Sequence, residues 1–194
     1  MNKAIFLDKD GTLVKDVPYN VNPELVSYSG FAVEALKLLQ QEGYLLIVIS
    51  NQSGIARGYF TEPDLTVLFN SIRLDMEASE IRIAGFYYCP HLPDATIHGF
   101  SKNCDCRKPA PGMMLQARED FDIDLARSWM IGDILDDIEA GKRAGCKTIL
   151  LNAGNETEWK VNSDRLPDYY ADDLITAAQI ILNDANPVLD DFME

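Results

Sequence analysis

The sequence predicts an α/β protein built on a parallel sheet, because short apolar runs alternate with segments of helical period along the chain. The apolar runs do not alternate with polar residues, as expected for strands that are buried on both faces. Strands that are joined by helices must cross over and pair in parallel. We therefore expect one three-layer, Rossmann-like domain over residues 1–184, followed by an acidic tail over 185–194.

The first half of the chain supplies three of the predicted strands and two helices. Residues 4–7 and 45–49 are uninterrupted apolar runs and predict the first two strands. Between them, residues 31–42 place apolar side chains at helical spacing, and Gly43 is a natural helix stop. A second helix begins at Thr61, which has an acidic residue three positions later, and extends to about residue 79. Residues 86–89 predict a short third strand.

The second half begins with a long loop and then returns to alternating elements. Residues 90–111 contain proline, glycine, histidine and cysteine, which indicates a structured loop. The predicted elements that follow are a helix over 112–120, a strand over 128–131, a helix over 136–144, a strand over 146–151 and a helix over 172–183.

Composition and charge exclude several classes of protein. Seventeen basic and 31 acidic residues give a net charge of −14, whereas nucleic acids and anionic membranes require a basic face. No apolar run approaches the roughly 18 residues of a membrane-spanning helix, and the first residues do not form a signal peptide. We expect a cytoplasmic, monomeric protein that acts on a small molecule. Four cysteines in 194 residues do not form a dense disulfide scaffold.

Chemically active side chains follow the predicted strands. Asp8 and Asp10 follow the first strand, Ser50 the second and Asp133 the fourth, while Lys108 precedes a helix. Ligands of open parallel sheets bind beyond the carboxyl ends of the strands, so these groups are expected to converge there. Side chains two residues apart in an extended segment point to the same side, so Asp8 and Asp10 are predicted to face together with Lys9 opposite.

Clustered carboxylates predict a divalent cation, because they repel one another unless a cation or a proton lies between them. Mg²⁺ with a phosphate ligand fits best, since one carboxylate can attack phosphorus while its neighbour handles protons. By itself the Asp-x-Asp-Gly pattern also fits a solvated turn or a Ca²⁺ loop, but Thr12 does not suit the latter.

Three of the cysteines and one histidine form a second candidate site. Cys89 and His91 are two residues apart, as are Cys104 and Cys106, and together they offer a ligand set suited to tetrahedral Zn²⁺. These spacings are tighter than those of common zinc fingers, so buried free thiols or a disulfide are open alternatives. We expect Cys146 to lie in the core and His98 on the surface.

These motifs together resemble the haloacid dehalogenase (HAD) superfamily of phosphatases. The segment FLDKDGT resembles its first motif, Ser50 its second, Lys108 its third, and Gly132-Asp133 with Asp137 its fourth. The longer segments SNQSGIARG, YYCPH and CDCRKPAPGM are similar to the branch that contains heptose bisphosphate and histidinol-phosphate phosphatases. The resemblance covers about residues 3–151 and implies a domain without a large cap.

The resemblance implies a role for each matching residue. Asp8 is the expected nucleophile and Asp10 the general acid and base, while Ser50 and Lys108 bind the phosphate. Mg²⁺ is expected on the Asp8 and Asp133 carboxylates and the Asp10 carbonyl, and Asp137 is expected to orient Lys108 or the outer partners of the metal. The resemblance also implies a structural zinc on Cys89, His91, Cys104 and Cys106. The remaining expected substrate contacts are Asp16, Tyr19, Asn51, Gln52, Ser53, Arg57 and Arg107.

The sequence departs from the branch at one position of interest. Members of this branch carry lysine or arginine directly after the fourth-motif aspartate, and this chain has Ile134. The missing cation leaves the substrate open between a heptose bisphosphate, histidinol phosphate and another small sugar phosphate.

Overall fold

A computed structural model describes residues 1–185 and shows a six-stranded sheet in the order β3-β2-β1-β4-β5-β6, with every pair of neighbours parallel. The strands are β1 (Lys3–Leu7), β2 (Tyr44–Asn51), β3 (Ile83–Cys89), β4 (Trp129–Gly132), β5 (Lys147–Leu151) and β6 (Tyr169–Ala171). The helices are α1 (Ala32–Gln41), α2 (Gly54–Arg57), α3 (Glu62–Ala78), α4 (Gly112–Phe121), α5 (Leu135–Ala144) and α6 (Leu174–Ala185). Three short 3₁₀ turns lie at Pro23–Leu25, His98–Phe100 and Leu125–Arg127.

Two apolar layers pack on the two faces of this sheet. Side chains such as Ile5 and Leu7 of β1 face a cluster that includes α1, α3 and α6. Their neighbours in the strand, Ala4 and Phe6, face a second cluster that includes α4 and α5. The central strands are thus buried on both sides, which explains why they lack polar alternation. The predicted three-layer α/β fold is confirmed.

Local signals set the starts and ends of several helices. Thr61 caps α3, since its side chain accepts from the Asp64 backbone N–H while the Asp64 carboxylate accepts from the Thr61 N–H. At the other end of a helix, Gly145 has a φ of 91° and stops α5 in the left-handed conformation that glycine adopts without strain. Between β2 and β3 the described chain contains only α2 and α3, so no cap domain is inserted there.

Two details differ from the sequence-based expectation. Strand β6, whose three residues Tyr169–Ala171 extend the sheet beyond β5, was not expected because so short a run gives no periodic signal. Helix α6 ends at Ala185, one residue beyond the expected domain boundary, and residues 186–194 of the expected acidic tail lie outside the described residues. Within 1–185, no helix is both long and apolar enough to cross a membrane.

Candidate active site

The carboxyl ends of the central strands bring the predicted catalytic groups to one cavity of about 230 Å³. Strand β1 leads directly into Asp8, Ser50 lies near the end of β2, and Asp133 follows β4. The cavity is lined by Asp8, Asp10, Asp16, Ser50, Asn51, Lys108, Asp133, Ile134 and Asn155. Three separate stretches of the chain thus meet as the parallel topology requires.

Lys108 lies at the centre of this site. Its side chain is only 2% exposed, its ammonium group contacts the Asp8 carboxylate, and it lies 2.6 Å from Asp137 Oδ1. The ammonium also donates to the Ile49 carbonyl oxygen at 3.2 Å. Burial acts to lower the pKa of Lys108, but the carboxylates of Asp137 and Asp8 outweigh it and raise that pKa. The lysine is therefore a fixed positive charge beside Asp8.

The side-chain amide of Asn51, called the Asn51 clamp below, sets the position of Lys108. Asn51 donates from Nδ2 to the Lys108 carbonyl oxygen at 3.0 Å, and its Oδ1 accepts from the Lys108 N–H at 3.0 Å. The end of β2 is thereby joined to the start of the segment that leads into α4. Asn51 was expected to contact substrate, and the structure shows that both ends of its amide bind the lysine backbone.

The carboxylates raise one another's affinity for protons. Burial, opposed by Lys108 and reinforced by Asp137 and Asp133, raises the pKa of Asp8 well above its ordinary value. Burial, followed by the charge of Asp137, raises the pKa of Asp133 to about 6. A divalent cation between these groups would offset both effects.

Oxygen ligands for a hard cation are present in this cluster. One carboxylate oxygen from each of Asp8, Asp133 and Asp137 lies within 4.8 Å of the others, and all three residues are buried. Carboxylate oxygens are the protein ligands that Mg²⁺ prefers. Because Asp8 and Asp133 line the cavity and Asp137 does not, Asp8 and Asp133 are the side chains best placed to hold such an ion.

Asp10 is turned toward a different set of partners. Its carboxylate accepts from Gln52 Nε2 at 3.1 Å, and the same nitrogen lies 2.7 Å from Ser50 Oγ. The ammonium group of Lys9 is buried and lies 2.5 Å from the other Asp10 oxygen. The expectation that Lys9 faces away from Asp10 is therefore wrong. Strand pairing ends at Leu7, so the alternation of an extended segment does not continue through residue 10.

A second cavity, of about 280 Å³, adjoins the first at Asp10, Asp16 and Asn51. It also contains Tyr19, Gln52 and Ser53, all expected substrate contacts. The complete lining is Asp10, Asp16, Pro18, Tyr19, Asn51, Gln52, Ser53 and Gly54. Burial and then the charge of Asp10 raise the pKa of Asp16.

The two arginines expected at the substrate do not line either cavity. Arg107 is half-buried, and its guanidinium group donates to the His91 carbonyl oxygen at 3.4 Å. Arg57 is exposed at the end of α2, with its guanidinium carbon 6.0 Å from the centre of the Tyr19 ring. Both lie on segments that border the site, and their contact with substrate stays a prediction.

The cysteine loop gathers its four expected ligands. The thiols of Cys89, Cys104 and Cys106 lie 3.1–3.5 Å apart, and His91 Nδ1 is 3.3 Å from Cys106 Sγ. Edges of about 3.8 Å are expected for a tetrahedron of sulfur ligands at 2.3 Å from zinc. All three cysteines are free, so the disulfide alternative is not found in the structure.

Burial shifts the pKa of two of the expected ligands in this loop. Burial, followed by a hydrogen bond with Cys106, raises the pKa of the Cys89 thiol in the metal-free cluster. Burial and the charge of Lys102 lower the pKa of His91, which favours the neutral imidazole that a metal requires. Cys146 is 5% exposed and lies in the core, as expected.

Sequence reasoning missed two residues at the main site. Asn155 donates from Nδ2 to Asp133 Oδ2 at 2.7 Å, and Thr12 donates to Asp133 Oδ1 at 3.2 Å. Thr12 lies in the first motif, two residues after Asp10, and this spacing in the sequence could have identified it. Asn155 lies in an aperiodic segment after β5, and nothing in the sequence distinguishes it from its neighbours.

We expect the Lys108→Met variant to lose about 3–5 kcal/mol of unfolding free energy, because it leaves the buried carboxylates of Asp8 and Asp137 without their partner. Urea unfolding monitored by circular dichroism measures the loss. Lys37→Met is the control, since the Lys37 side chain is 38% exposed and lies 3.7 Å from the exposed Glu80, and it should change stability by less than about 0.5 kcal/mol. Equal stabilities of the two variants would contradict the central role of Lys108.

The raised pKa of Asp133 predicts how pH affects the metal-free protein. Its folded pKa of about 6 exceeds that of an unfolded aspartate, so its contribution to stability is present below pH 4 and lost as pH rises through 6. A difference of roughly two pKa units corresponds to about 3 kcal/mol. In magnesium-free buffer, the wild type should therefore lose more stability between pH 4.5 and 7.5 than Asp133→Asn. Parallel pH profiles of Tm for the two proteins would refute this assignment.

The fold and the cluster of Asp8, Ser50, Lys108 and Asp133 define a phosphatase-type α/β domain, and comparisons with known proteins agree. The HAD-hydrolase-like family model matches residues 105–177. Together with relatives that align over most of the chain, this match shows that the chain belongs to the HAD-like phosphatases.

The relatives within this superfamily are heptose bisphosphate phosphatases. The chain is 39% identical over 169 residues to D-glycero-beta-D-manno-heptose-1,7-bisphosphate 7-phosphatase from Salmonella typhi, covering 82% of this chain and 90% of the relative. It is 40% identical over 156 residues to D-glycero-alpha-D-manno-heptose-1,7-bisphosphate 7-phosphatase from Photorhabdus laumondii, covering 80% and 85%.

A solved structure supports the same relationship. It is D,D-heptose 1,7-bisphosphate phosphatase from B. bronchiseptica, complexed with magnesium and phosphate. The TM-score is 0.77 at 28% identity, and the alignment covers 94% of this chain and 99% of the other. Most of the chain thus shares its fold with that phosphatase.

Proposed function

We propose that this protein removes the 7-phosphate of D-glycero-D-manno-heptose 1,7-bisphosphate through an aspartyl-phosphate formed on Asp8. The observation that carries the proposal is the meeting of Asp8, Ser50, Lys108 and Asp133 at one cavity. The relatives named for this activity support the choice of substrate.

Asp8 is the proposed nucleophile. A carboxylate oxygen attacks phosphorus, and the bond between phosphorus and the sugar oxygen breaks. Lys108 lies against Asp8 and offers positive charge to the transferring oxygens, while the Ser50 hydroxyl offers a hydrogen bond. Both groups are buried, so their interactions act in a medium of low polarity.

Asp10 is the proposed general acid and base. It gives a proton to the departing sugar oxygen, and it later accepts a proton from the water that attacks phosphorus. The second attack breaks the bond between phosphorus and Asp8, releases phosphate and restores both carboxyl groups. The amide of Gln52, which contacts both Asp10 and Ser50, holds the acid beside the phosphate-binding hydroxyl.

Asp8 and Asp133 are the proposed side-chain ligands of Mg²⁺, as the chemistry of the buried oxygen cluster fits that ion. When bound, Mg²⁺ neutralises negative charge on the carboxylates and on the transferring phosphate. The backbone carbonyl of Asp10 is proposed as a further ligand.

Cys89, His91, Cys104 and Cys106 are proposed to bind one structural Zn²⁺. Four protein ligands leave no open position for catalysis. The loop leads directly into Arg107 and Lys108, so a metal here fixes the segment that delivers the lysine to Asp8. A cytoplasmic location and a monomeric state stay predictions of the sequence.

Histidinol phosphate is the second candidate substrate, favoured by one observation. Arg107, which was expected to contact substrate, bonds to the His91 carbonyl oxygen instead of lining the cavity, which weakens the case for a second phosphate. Ile134 lines the cavity where both kinds of enzyme in this branch have a cation, so it does not separate the two substrates.

Phosphate release with Mg²⁺ across a substrate panel tests the proposed function. The panel contains both anomers of heptose 1,7-bisphosphate, histidinol phosphate, fructose 1,6-bisphosphate and a 3′-phosphorylated oligonucleotide. We expect selective turnover of one heptose anomer, with ³¹P NMR showing loss of the 7-phosphate. Preference for histidinol phosphate would overturn the proposed substrate and keep the chemistry, whereas failure of every substrate would overturn both.

A further inference from the structure

We infer that Asn155 is a positioning residue that fixes Asp133 for the metal ion, an inference that rests on the Mg²⁺ site proposed above. Asn155 lies after β5, outside every motif that predicted the site. Its Nδ2 donates to Asp133 Oδ2 at 2.7 Å. The fold therefore brings Asn155, which follows β5, to the carboxylate of Asp133, which follows the neighbouring strand β4.

Two donors together determine the orientation of the Asp133 carboxylate. Thr12 Oγ1 bonds to Oδ1 at 3.2 Å from one side, and Asn155 bonds to Oδ2 from the other. Thr12 is completely buried and Asn155 is exposed, so the second donor comes from the solvent side of the site. With one hydrogen bond to each oxygen, the carboxylate is held against rotation and keeps lone pairs for a metal.

The backbone of Gly11 fits closely against this pair. A Cβ atom at Gly11 would lie 2.0 Å from Asp133 Oδ2 and 2.5 Å from Asn155 Nδ2, and Gly11 has a φ of 83°. Only glycine leaves room for the hydrogen bond at this point. Gly11, which belongs to the first motif, thus packs directly against the contact between Asn155 and Asp133.

The residue after Asn155 anchors the same segment. Glu156 Oε2 accepts from the Leu135 N–H at 2.6 Å, at the start of α5. A carboxylate at a helix N-terminus interacts favourably with the helix dipole, and Ile134 at the N-cap has no side-chain acceptor of its own. The segment that contains Asn155 and Glu156 is therefore attached at two points, the Asp133 carboxylate and the backbone N–H of Leu135.

Outer partners of metal ligands change metal affinity by about 10- to 100-fold. We expect Asn155→Ala to raise the Kd for Mg²⁺ by at least about tenfold, measured by isothermal titration calorimetry without substrate. Any loss of activity in this variant should be recovered at least in part by raising the Mg²⁺ concentration. Because Asn155 is exposed, the truncation removes little packing, and circular dichroism should show a folded protein.

Asn152→Ala is the matched control. Asn152 lies in the same segment and is exposed, but its amide contacts Asp172 at 3.4 Å instead of the site. It should leave the Kd for Mg²⁺ unchanged. An unchanged Kd in Asn155→Ala would overturn the inference, and so would a loss of kcat at saturating Mg²⁺ without a change in Kd, which would indicate substrate contact. Because the calorimetry contains no substrate, failure of the proposed substrate would not affect this result.

Discussion

Replacing Asp8 with asparagine is expected to lower kcat by at least about 10⁴-fold, because the amide cannot attack phosphorus as a carboxylate does. The change keeps the size of the side chain, and Lys108 keeps its contact with Asp137. The fold should therefore persist. Steady-state phosphate release measures the loss, and circular dichroism confirms the folded state.

Asp164→Asn is a matched control for this change. Asp164 is exposed in the segment between β5 and β6, and its contacts are local to that segment. The control should retain full activity. An Asp8→Asn variant with more than a few per cent of wild-type kcat would refute the covalent mechanism.

Loss of the zinc ligands is expected to have a large effect on stability. The Cys104→Ser and Cys106→Ser variants should contain less than one zinc per chain, whereas the wild type should contain one. A loss of about 4 kcal/mol, well below the binding free energy of zinc in small peptides, lowers Tm by roughly 8–16 °C for a chain of this size. Elemental analysis of protein purified without added metal and thermal unfolding provide the two readouts.

Cys146→Ser separates loss of a metal from loss of a buried thiol. Cys146 is buried in the core away from the loop, so this variant should keep its zinc even where its stability changes. Wild-type protein that contains no zinc would show that the four side chains form a metal-free cluster.

The main site was predictable where the topology alone decides the geometry. Asp8 and Asp133 follow neighbouring strands of a parallel sheet, so they had to meet at one edge once the strands were recognised. Lys108 is different, because its segment lies between a loop and a helix and its place depends on the Asn51 clamp. Its position before a helix placed it at the same edge of the sheet, and the resemblance to the HAD superfamily implied its role.

Other features depend on contacts that leave no local pattern. Lys9 was predicted to face away from Asp10, but the chain turns after Leu7 and the ammonium group folds back onto the carboxylate. Asn155 reaches Asp133 across 22 residues, and strand β6 has only three residues. Contacts of this kind are set by tertiary packing, which hydrophobic periodicity does not record.

Formation of a phosphorylated Asp8 tests the proposed mechanism most directly. The wild-type protein is mixed with D-glycero-D-manno-heptose 1,7-bisphosphate that carries a labelled 7-phosphate, quenched in acid within milliseconds and digested for mass spectrometry. We expect label on the peptide that contains Asp8, appearing before free phosphate and absent from Asp8→Asn. Turnover with label on another residue, or with no labelled peptide at any quench time, would contradict it.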